Sequence, residues 1–250
     1  MSIGARLVLA LALTAVPMGV AKAGPPFNTD DPDPTDYRKF EIYLYSQGTV
    51  DSGSKAGTAL GLEINYGALP DVQISVALPA GFTAPSRARA TLGISDVELG
   101  VKYRFIEEDE SGWRPQVSFY PALEAPLGKS GKALGDSATH IFLPLWTQKS
   151  LGLWTPFGGG GYRVNPGPEG RNSWFMGVGI LRRISDRLQL GAEVFHESSE
   201  VQGEEAKAGL NIGAIYDLNS RFHIVGSAGP SSDCCKTAEF SYYLAFEWAN

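Results

Sequence analysis

The segment Val97-Glu98-Leu99-Gly100-Val101-Lys102-Tyr103-Arg104-Phe105 alternates strictly between apolar residues and charged or small ones. A period of two places successive side chains on opposite faces of the backbone, as in a β-strand, whereas an amphipathic helix needs a period of 3.6. We therefore predict a strand here, with one face apolar along its whole length and the other face carrying charge and glycine.

The same alternation recurs along the chain, for example at residues 60–66, 72–78, 206–216 and 239–248. The segments are about ten residues long, which is the length a tilted strand needs to cross lipid. We predict twelve strands, over residues 38–47, 57–67, 72–80, 93–106, 114–125, 138–148, 153–163, 173–183, 187–198, 205–216, 221–229 and 237–248.

The connections between these strands alternate between short and long. Residues 67–71, 107–112, 149–152, 185–187 and 217–220 form short connections, and the intervening connections are longer on average. Outer-membrane barrels have short periplasmic turns and longer external loops, so this asymmetry favours a barrel. The even strand count would leave both chain ends on the side of the short turns.

The N-terminal residues have the pattern of a targeting segment. Arg6 precedes the apolar run 7–20, and Ala21-Lys22-Ala23 is a small-x-small cleavage site, so residues 1–23 are predicted to be a cleaved signal peptide. Residues 24–37 are rich in proline and aspartate and form either an extended periplasmic segment or a plug of the lumen. The barrel itself is expected over residues 38–250.

Composition excludes several classes of protein. The net charge is -6 at pH 7, which argues against nucleic-acid binding because that binding depends on basic patches. The only cysteines, Cys234 and Cys235, are adjacent and cannot form a disulfide framework. A vicinal disulfide, a thiol metal site and a pair of unbonded loop cysteines all stay open for them.

Alternation alone does not separate a membrane barrel from a soluble sandwich, since both bury one face of each strand. The strand length and the aromatic residues Tyr66, Phe105, Trp113, Tyr216 and Trp248 near the predicted periplasmic strand ends favour the membrane. We predict an all-β, closed, antiparallel up-and-down transmembrane β-barrel in the outer membrane of a Gram-negative bacterium. Its partners would be outer-membrane lipid, a small-molecule solute and the barrel-assembly machinery. A backbone diameter of roughly 24 Å leaves an opening on the order of 10 Å.

Several stretches resemble the outer-membrane proteins of the meta-pathway phenol degradation family. They are residues 25–32 (PPFNTDDP), 61–67 (GLEINYG), 69–71 (LPD), 95–105 (SDVELGVKYRF), 158–162 (GGGGY) and 191–196 (GAEVFH). Ser95 stands where the family pattern has glycine. The resemblance implies a transporter-like, porin-like outer-membrane barrel for aromatic or other apolar compounds, without enzymatic activity.

Twelve polar residues fall on the predicted lumen face. As a functional site they would line a pore and set its solute preference; as a structural network they would fill a closed lumen with salt bridges. The sequence leaves both readings open, together with a closed structural or adhesin-like barrel. The residues are Glu63, Asn65, Glu98, Lys102, Arg104, Gln116, Glu124, Glu193, Lys207, Asn211, His223 and Glu247.

Other motifs give weaker indications. His196 and Ser198 share one strand face, as in a surface lipid hydrolase, but Asn211 points the other way and no catalytic site is expected. The glycine run 158–161 lacks the Lys-Ser/Thr of a phosphate loop and indicates either sharp curvature of the strand or close approach of a neighbouring side chain. Asp30, Asp31, Asp33 and Asp36 match no standard calcium loop, so a solvated linker is expected, with no metal and no cofactor.

Overall fold

The computed structural model describes residues 26–109, 111–128, 134, 138–166, 170–200, 205–233 and 238–250. The predicted signal peptide and Cys234-Cys235 lie outside the described residues. Fourteen strand segments are present in the described part: β1 Phe40–Val50, β2 Lys55–Leu69, β3 Val72–Thr83, β4 Thr91–Ile94, β5 Val97–Ile106, β6 Gln116–Phe119, β7 Ala122–Ala125, β8 His140–Gln148, β9 Trp154–Val164, β10 Ser173–Ser185, β11 Leu188–Glu197, β12 Lys207–Asp217, β13 Phe222–Asp233 and β14 Ala238–Ala249.

Two pairs of these segments are single barrel strands with a short interruption. Both β4 and β5 pair with β3, and both β6 and β7 pair with β5 and β8. The second break falls at Tyr120-Pro121, where proline has no N–H to donate to the ladder. The described residues therefore form twelve barrel strands, which confirms the predicted number.

The sheet closes on itself through its first and last strands. β1 pairs antiparallel with β14 over the register from Glu41↔Ala249 to Val50↔Phe240. The remaining neighbours follow chain order as antiparallel pairs. Closure leaves no sheet edge, so backbone hydrogen bonds are satisfied within the barrel, as hydrocarbon surroundings demand. This confirms the predicted closed up-and-down barrel.

The two ends of the barrel differ. The end at which β1 begins and β14 finishes, called here the turn side, carries the connections 70–71, 107–115, 149–153, 186–187 and 218–221. The opposite end, called the loop side, carries the connections 51–54, 84–90, 126–139, 165–172, 198–206 and 234–237. Several strands run further toward the loop side than predicted, such as β3 to Thr83. Their glycine- and threonine-rich ends pair through the backbone although they lack apolar alternation.

The outer surface of the barrel is apolar. Leu44, Leu99, Met176 and Ile212 are 49%, 48%, 57% and 65% exposed, and similar side chains surround the barrel. Soluble proteins rarely expose so continuous an apolar surface. The side chains do not meet between two sheets, so the soluble sandwich is excluded. Among the described residues no helix is long and apolar enough to span a membrane.

The inner face holds more aromatic side chains than predicted. Tyr43, Tyr45 and Phe157 are buried inside, and Phe27 packs against them. The expectation that the inner face carries mainly small and charged residues is therefore incomplete. Glycine makes room for these rings, because a Cβ at Gly61 would overlap the Tyr45 ring. The run 158–161 behaves likewise: a Cβ at Gly161 would lie 2.8 Å from the Phe142 ring. This confirms the expected close approach.

Candidate functional site

The lumen contains a segment of the chain that precedes the first strand. Residues 26–36, called here the lumen segment, are held by Glu193, which is 1% exposed. The two carboxylate oxygens of Glu193 accept the backbone N–H groups of Asn28 and Thr29, each at 2.9 Å. Asn211 donates to the same carboxylate at 2.8 Å. A strand residue of the wall therefore fixes the lumen segment by its backbone.

A buried lysine holds the middle of the lumen segment. Lys102 Nζ lies 3.1 Å from an Asp30 carboxylate oxygen and 3.4 Å from one of Asp31. The ammonium also lies 5.1 Å from the centre of the Tyr120 ring, where a cation–π attraction adds to the ion pair. Burial raises the pKa of Asp31 to about 8, against the opposing pull of Lys102. At neutral pH Asp31 is therefore mainly protonated, and the charge of Lys102 is balanced by Asp30.

Arg104 anchors the end of the lumen segment nearer to β1. It binds Asp33 at 3.0 Å and also pairs with Asp71. Asp71 is in the left-handed region at φ 65° in the two-residue turn between β2 and β3, and its backbone oxygen accepts the Arg104 N–H at 2.9 Å. The turn thus presents its carboxylate to the guanidinium. Gln116 Nε2 donates to Asp33 at 3.2 Å.

These contacts correct the expectation for the aspartate cluster. Asp30, Asp31 and Asp33 do not form a solvated linker: Asp30 and Asp33 neutralise Lys102 and Arg104 of the barrel wall, and Asp31 lies beside Lys102. Asp36 pairs instead with exposed Lys39 at 2.8 Å. No group of described residues has the ligand set of a metal site.

The lumen segment divides the barrel interior into two cavities. The loop-side cavity has a volume of about 680 Å³ and the turn-side cavity about 360 Å³. Asp31 and Asp33 line both of them, as do Glu41 and Tyr43 of β1. The interior is therefore a roomy chamber on the loop side, a partition, and a smaller chamber on the turn side.

The structure places the twelve predicted lumen residues on the inner face, in different surroundings. Glu124 lies beside His140, with 3.8 Å between the carboxylate and ring nitrogen. Four residues contact the lumen segment directly, and all the others except Glu124 line a cavity. Lys102, Arg104, Gln116 and Glu193 contact the segment; Glu63, Asn65, Glu98, Lys207 and Asn211 line the loop-side cavity; His223 and Glu247 line the turn-side cavity.

Strand register brings three of the predicted carboxylates into one row. Glu63 lies opposite Ala77, Ala77 opposite Glu98, and Glu98 opposite Glu124. The row thus crosses four neighbouring barrel strands. Like charges directly opposite each other are destabilising, so a charge-neutralising partner would be favoured here.

Sequence reasoning missed the aromatic part of the lumen. Tyr43 lines both cavities, and Tyr120, Tyr243 and Phe142 line the loop-side one. The alternation of inward and outward residues could have identified some of them, because Tyr43 and Tyr45 flank outward Leu44 and share the face of Glu41. Tyr120 could not be found this way, since it lies at the break before Pro121. Arg163, Glu197 and Glu239 of the same cavity were also missed.

The residues of the hydrolase hypothesis are not assembled. The Ser198 hydroxyl accepts the backbone N–H of Trp174 at 2.7 Å, and no described contact joins it to His196. His196 is exposed on the outer face, whereas Asn211 is 3% exposed inside the barrel and bound to Glu193. A nucleophile, a base and its orienting group therefore do not meet here.

Comparison with known proteins identifies the fold. No protein-family profile matches the chain, and no curated protein matches its sequence. The structure is similar to an outer membrane channel from Pseudomonas putida F1, with a TM-score of 0.71 at 16% identity, over 87% of this chain and 99% of that one. It is also similar to the KdgM porin (TM-score 0.55, 9% identity, 82% and 98% covered). A third similar structure is the CymD monoaromatic hydrocarbon channel (0.50, 8%, 86% and 88%). The chain therefore has the closed antiparallel barrel fold that these outer-membrane proteins share.

Proposed function

We propose that this chain is an outer-membrane channel for small solutes and that the lumen segment closes it in the state described. The main support for this proposal is the loop-side cavity of about 680 Å³, which is enclosed by a barrel that is apolar outside and polar within. Apolar exterior and polar interior are the arrangement by which a barrel passes solutes through lipid. The cavity suits a compact molecule and excludes a folded protein.

We also propose a family for this chain and a class of solute for the channel. The stretches at residues 25–32, 61–67 and 95–105 support membership of the meta-pathway phenol degradation family, and the inward rings suit solutes with apolar or aromatic parts. The predicted signal peptide and barrel-assembly machinery would deliver the chain to the outer membrane. The twelve inward polar residues would then set solute preference or hold the lumen segment.

A reversible disulfide bond that fixes the lumen segment to the barrel wall would test the channel. A Cβ at Gly177 would lie 3.2 Å from Thr29 Cβ, close to the spacing of disulfide-linked residues, and Thr29 Oγ has no hydrogen-bond partner among the described residues. We expect the variant T29C/G177C, in a chain with Cys234 and Cys235 replaced by serine, to give no conductance in planar bilayers when oxidised. Reduction should restore opening events.

The second candidate is a closed structural barrel, which the anchoring of the lumen segment favours. It predicts no conductance in the oxidised form, the reduced form, or a variant lacking residues 26–36. The single variant T29C in the same background is the control, and it should conduct like the reduced double variant. If none of these forms conducts, although heat-modifiable migration on gels shows that their barrels are folded, the channel would be excluded.

A further inference from the structure

The loop-side cavity has an excess of acidic side chains. Among the described residues, eight acidic and three basic side chains line it. Each basic residue already has an acidic partner: Lys102 binds Asp30 at 3.1 Å, Arg163 binds Glu197 at 3.2 Å and Lys207 binds Glu239 at 3.1 Å. Even with Asp31 protonated and Asp33 paired with Arg104, the cavity wall has more acidic side chains than cations to pair with them.

Glu63 and Glu98 are two of the acidic side chains that these ion pairs leave over. Neither forms an ion pair with any residue in the described part of the chain. Glu63 accepts a hydrogen bond from Asn65 Nδ2 at 3.0 Å, and Glu98 is exposed in the cavity. The two lie in the row Glu63–Ala77–Glu98, one strand apart on either side of Ala77, so both face the same space.

A buried amide beside them also lacks a partner. Asn65 is 4% exposed and lines the cavity, yet its Oδ1 has no hydrogen-bond partner among the described residues. A buried acceptor without a donor costs free energy until something donates to it. Two carboxyl groups without an ion-pair partner and one unpaired carbonyl oxygen, in the part of the chain that the structure describes, suit a ligand that is a hydrogen-bond donor and positively charged.

Tyrosine rings surround these acceptors. The Tyr45 ring covers Gly61, two residues from Glu63 on the same face, and the Tyr120 ring covers Gly100, two residues from Glu98. Tyr243 stacks on Tyr45 with 5.9 Å between ring centres. Tyr120 and Tyr243 line the same cavity as Glu63 and Glu98. Aromatic faces together with carboxylates recognise organic ammonium groups.

We propose that Glu63 and Glu98, with the rings of Tyr120 and Tyr243, form a binding site for organic cations, so that the loop-side cavity takes amines with an apolar or aromatic body. The ammonium lies between the two carboxylates, and its body packs on the tyrosine rings. The barrel already shows this chemistry, because Lys102 rests on Tyr120 at 5.1 Å while paired with Asp30. The inference rests on the proposed channel for its biological meaning, since it names the solute class.

Calorimetric titration of the full chain in detergent tests the inference without requiring conductance. The probe is benzylammonium, with benzyl alcohol as the neutral analogue of similar size and benzoate as the anion. We expect benzylammonium to bind at least about tenfold more tightly than benzyl alcohol, and benzoate to bind most weakly. Equal binding of the cation and the alcohol would overturn the proposal.

Matched variants separate the site from general charge. The double variant E63Q/E98Q should lose the preference for benzylammonium while keeping the weak binding of benzyl alcohol. The control E247Q removes one negative charge from the turn-side cavity and should leave the preference unchanged. A preference that survives in a heat-modifiable, folded E63Q/E98Q barrel would refute the site. A protein that conducts without the preference refutes the inference alone, whereas one that binds the cation without conducting refutes the channel alone.

Discussion

At the residue scale, the lumen segment depends on a few buried charges of the wall. Glu193, Lys102 and Arg104 each bind it from a different strand. Hydrogen bonds that involve an ionised group are stronger than neutral ones, so these anchors outweigh the polar contacts around them. Loss of one anchor should therefore loosen the segment without unfolding the barrel.

Replacing Glu193 by glutamine should loosen the start of the lumen segment. The amide can accept only one of the two backbone N–H bonds now made to Asn28 and Thr29, at a cost of about 1.5–3 kcal/mol. Maleimide labelling of a buried T29C probe should then accelerate by about tenfold or more. The control E239Q affects only the pair with Lys207. Unchanged labelling in E193Q would contradict this anchor.

The two neighbouring aspartates should respond differently to amide substitution. D30N removes the charge that balances Lys102 and should increase T29C labelling at pH 7. D31N resembles the protonated form that Asp31 adopts at neutral pH, so labelling should fall or stay the same. If D31N released the segment as much as D30N does, Asp31 would have to be ionised when docked.

The pH dependence of docking follows from the same aspartate. Its pKa is about 8 when docked and near 3.8 when free in solution. Between these two pH values Asp31 is protonated in the docked segment but ionised in the free segment. Docking therefore weakens as the pH rises from about 4 to about 8, and it does not change further at higher pH. The labelling rate of T29C, divided by the rate for unfolded protein at the same pH, should therefore increase over this pH range. The variant D31N should lack that part of the slope.

At the element scale, neighbouring strands fit together through rings that lie on glycines. The Tyr45 ring of β1 occupies the space above Gly61 of β2. The Tyr120 ring likewise occupies the space above Gly100 of β5. Such pairing fills the lumen wall while the glycine lets the ring lie against the backbone. The sequence position of a glycine thus decides where an inward ring can rest.

Adding one methyl group at Gly61 should disturb this packing. G61A would push the Tyr45 ring from its place, and overpacking of this kind typically costs about 1–3 kcal/mol. We expect a lower urea midpoint for unfolding from lipid vesicles. G53A, in the connection between β1 and β2, is the control, because the nearest atom to its added carbon would be 3.6 Å away, an ordinary contact distance. Equal midpoints for the two variants would argue against ring-on-glycine packing as a source of stability.

At the scale of the whole molecule, the apolar exterior defines the solvent that the barrel requires. Leu99 lies within β5 and is 48% exposed, whereas Leu92 lies in β4 near the loop side and is 65% exposed. Both point away from the lumen, but at different heights on the barrel. A membrane would penalise charge at the first position more than at the second.

Arginine substitutions measure this depth dependence. L99R should lower the free energy of unfolding from vesicles by about 2–4 kcal/mol, and L92R by about 0–1 kcal/mol, because the destabilisation decreases from the bilayer midplane toward the interface. Equilibrium unfolding from lipid vesicles would measure both. An equal, small effect of the two substitutions would be expected of a surface that faces water instead.

The sequence by itself determined the barrel. Period-two alternation assigns each side chain to a face through local geometry alone, so the strand positions, the apolar exterior and the inward polar residues followed from it. Only the tertiary structure decided which inward residues meet. The register of β1 against β14, the row of Glu63 and Glu98, and the course of residues 26–36 through the lumen depend on contacts between residues far apart in the chain, such as Asn28 and Glu193. Local periodicity carries no information about such pairs, because an inward side chain alternates in the same way whatever it faces across the lumen.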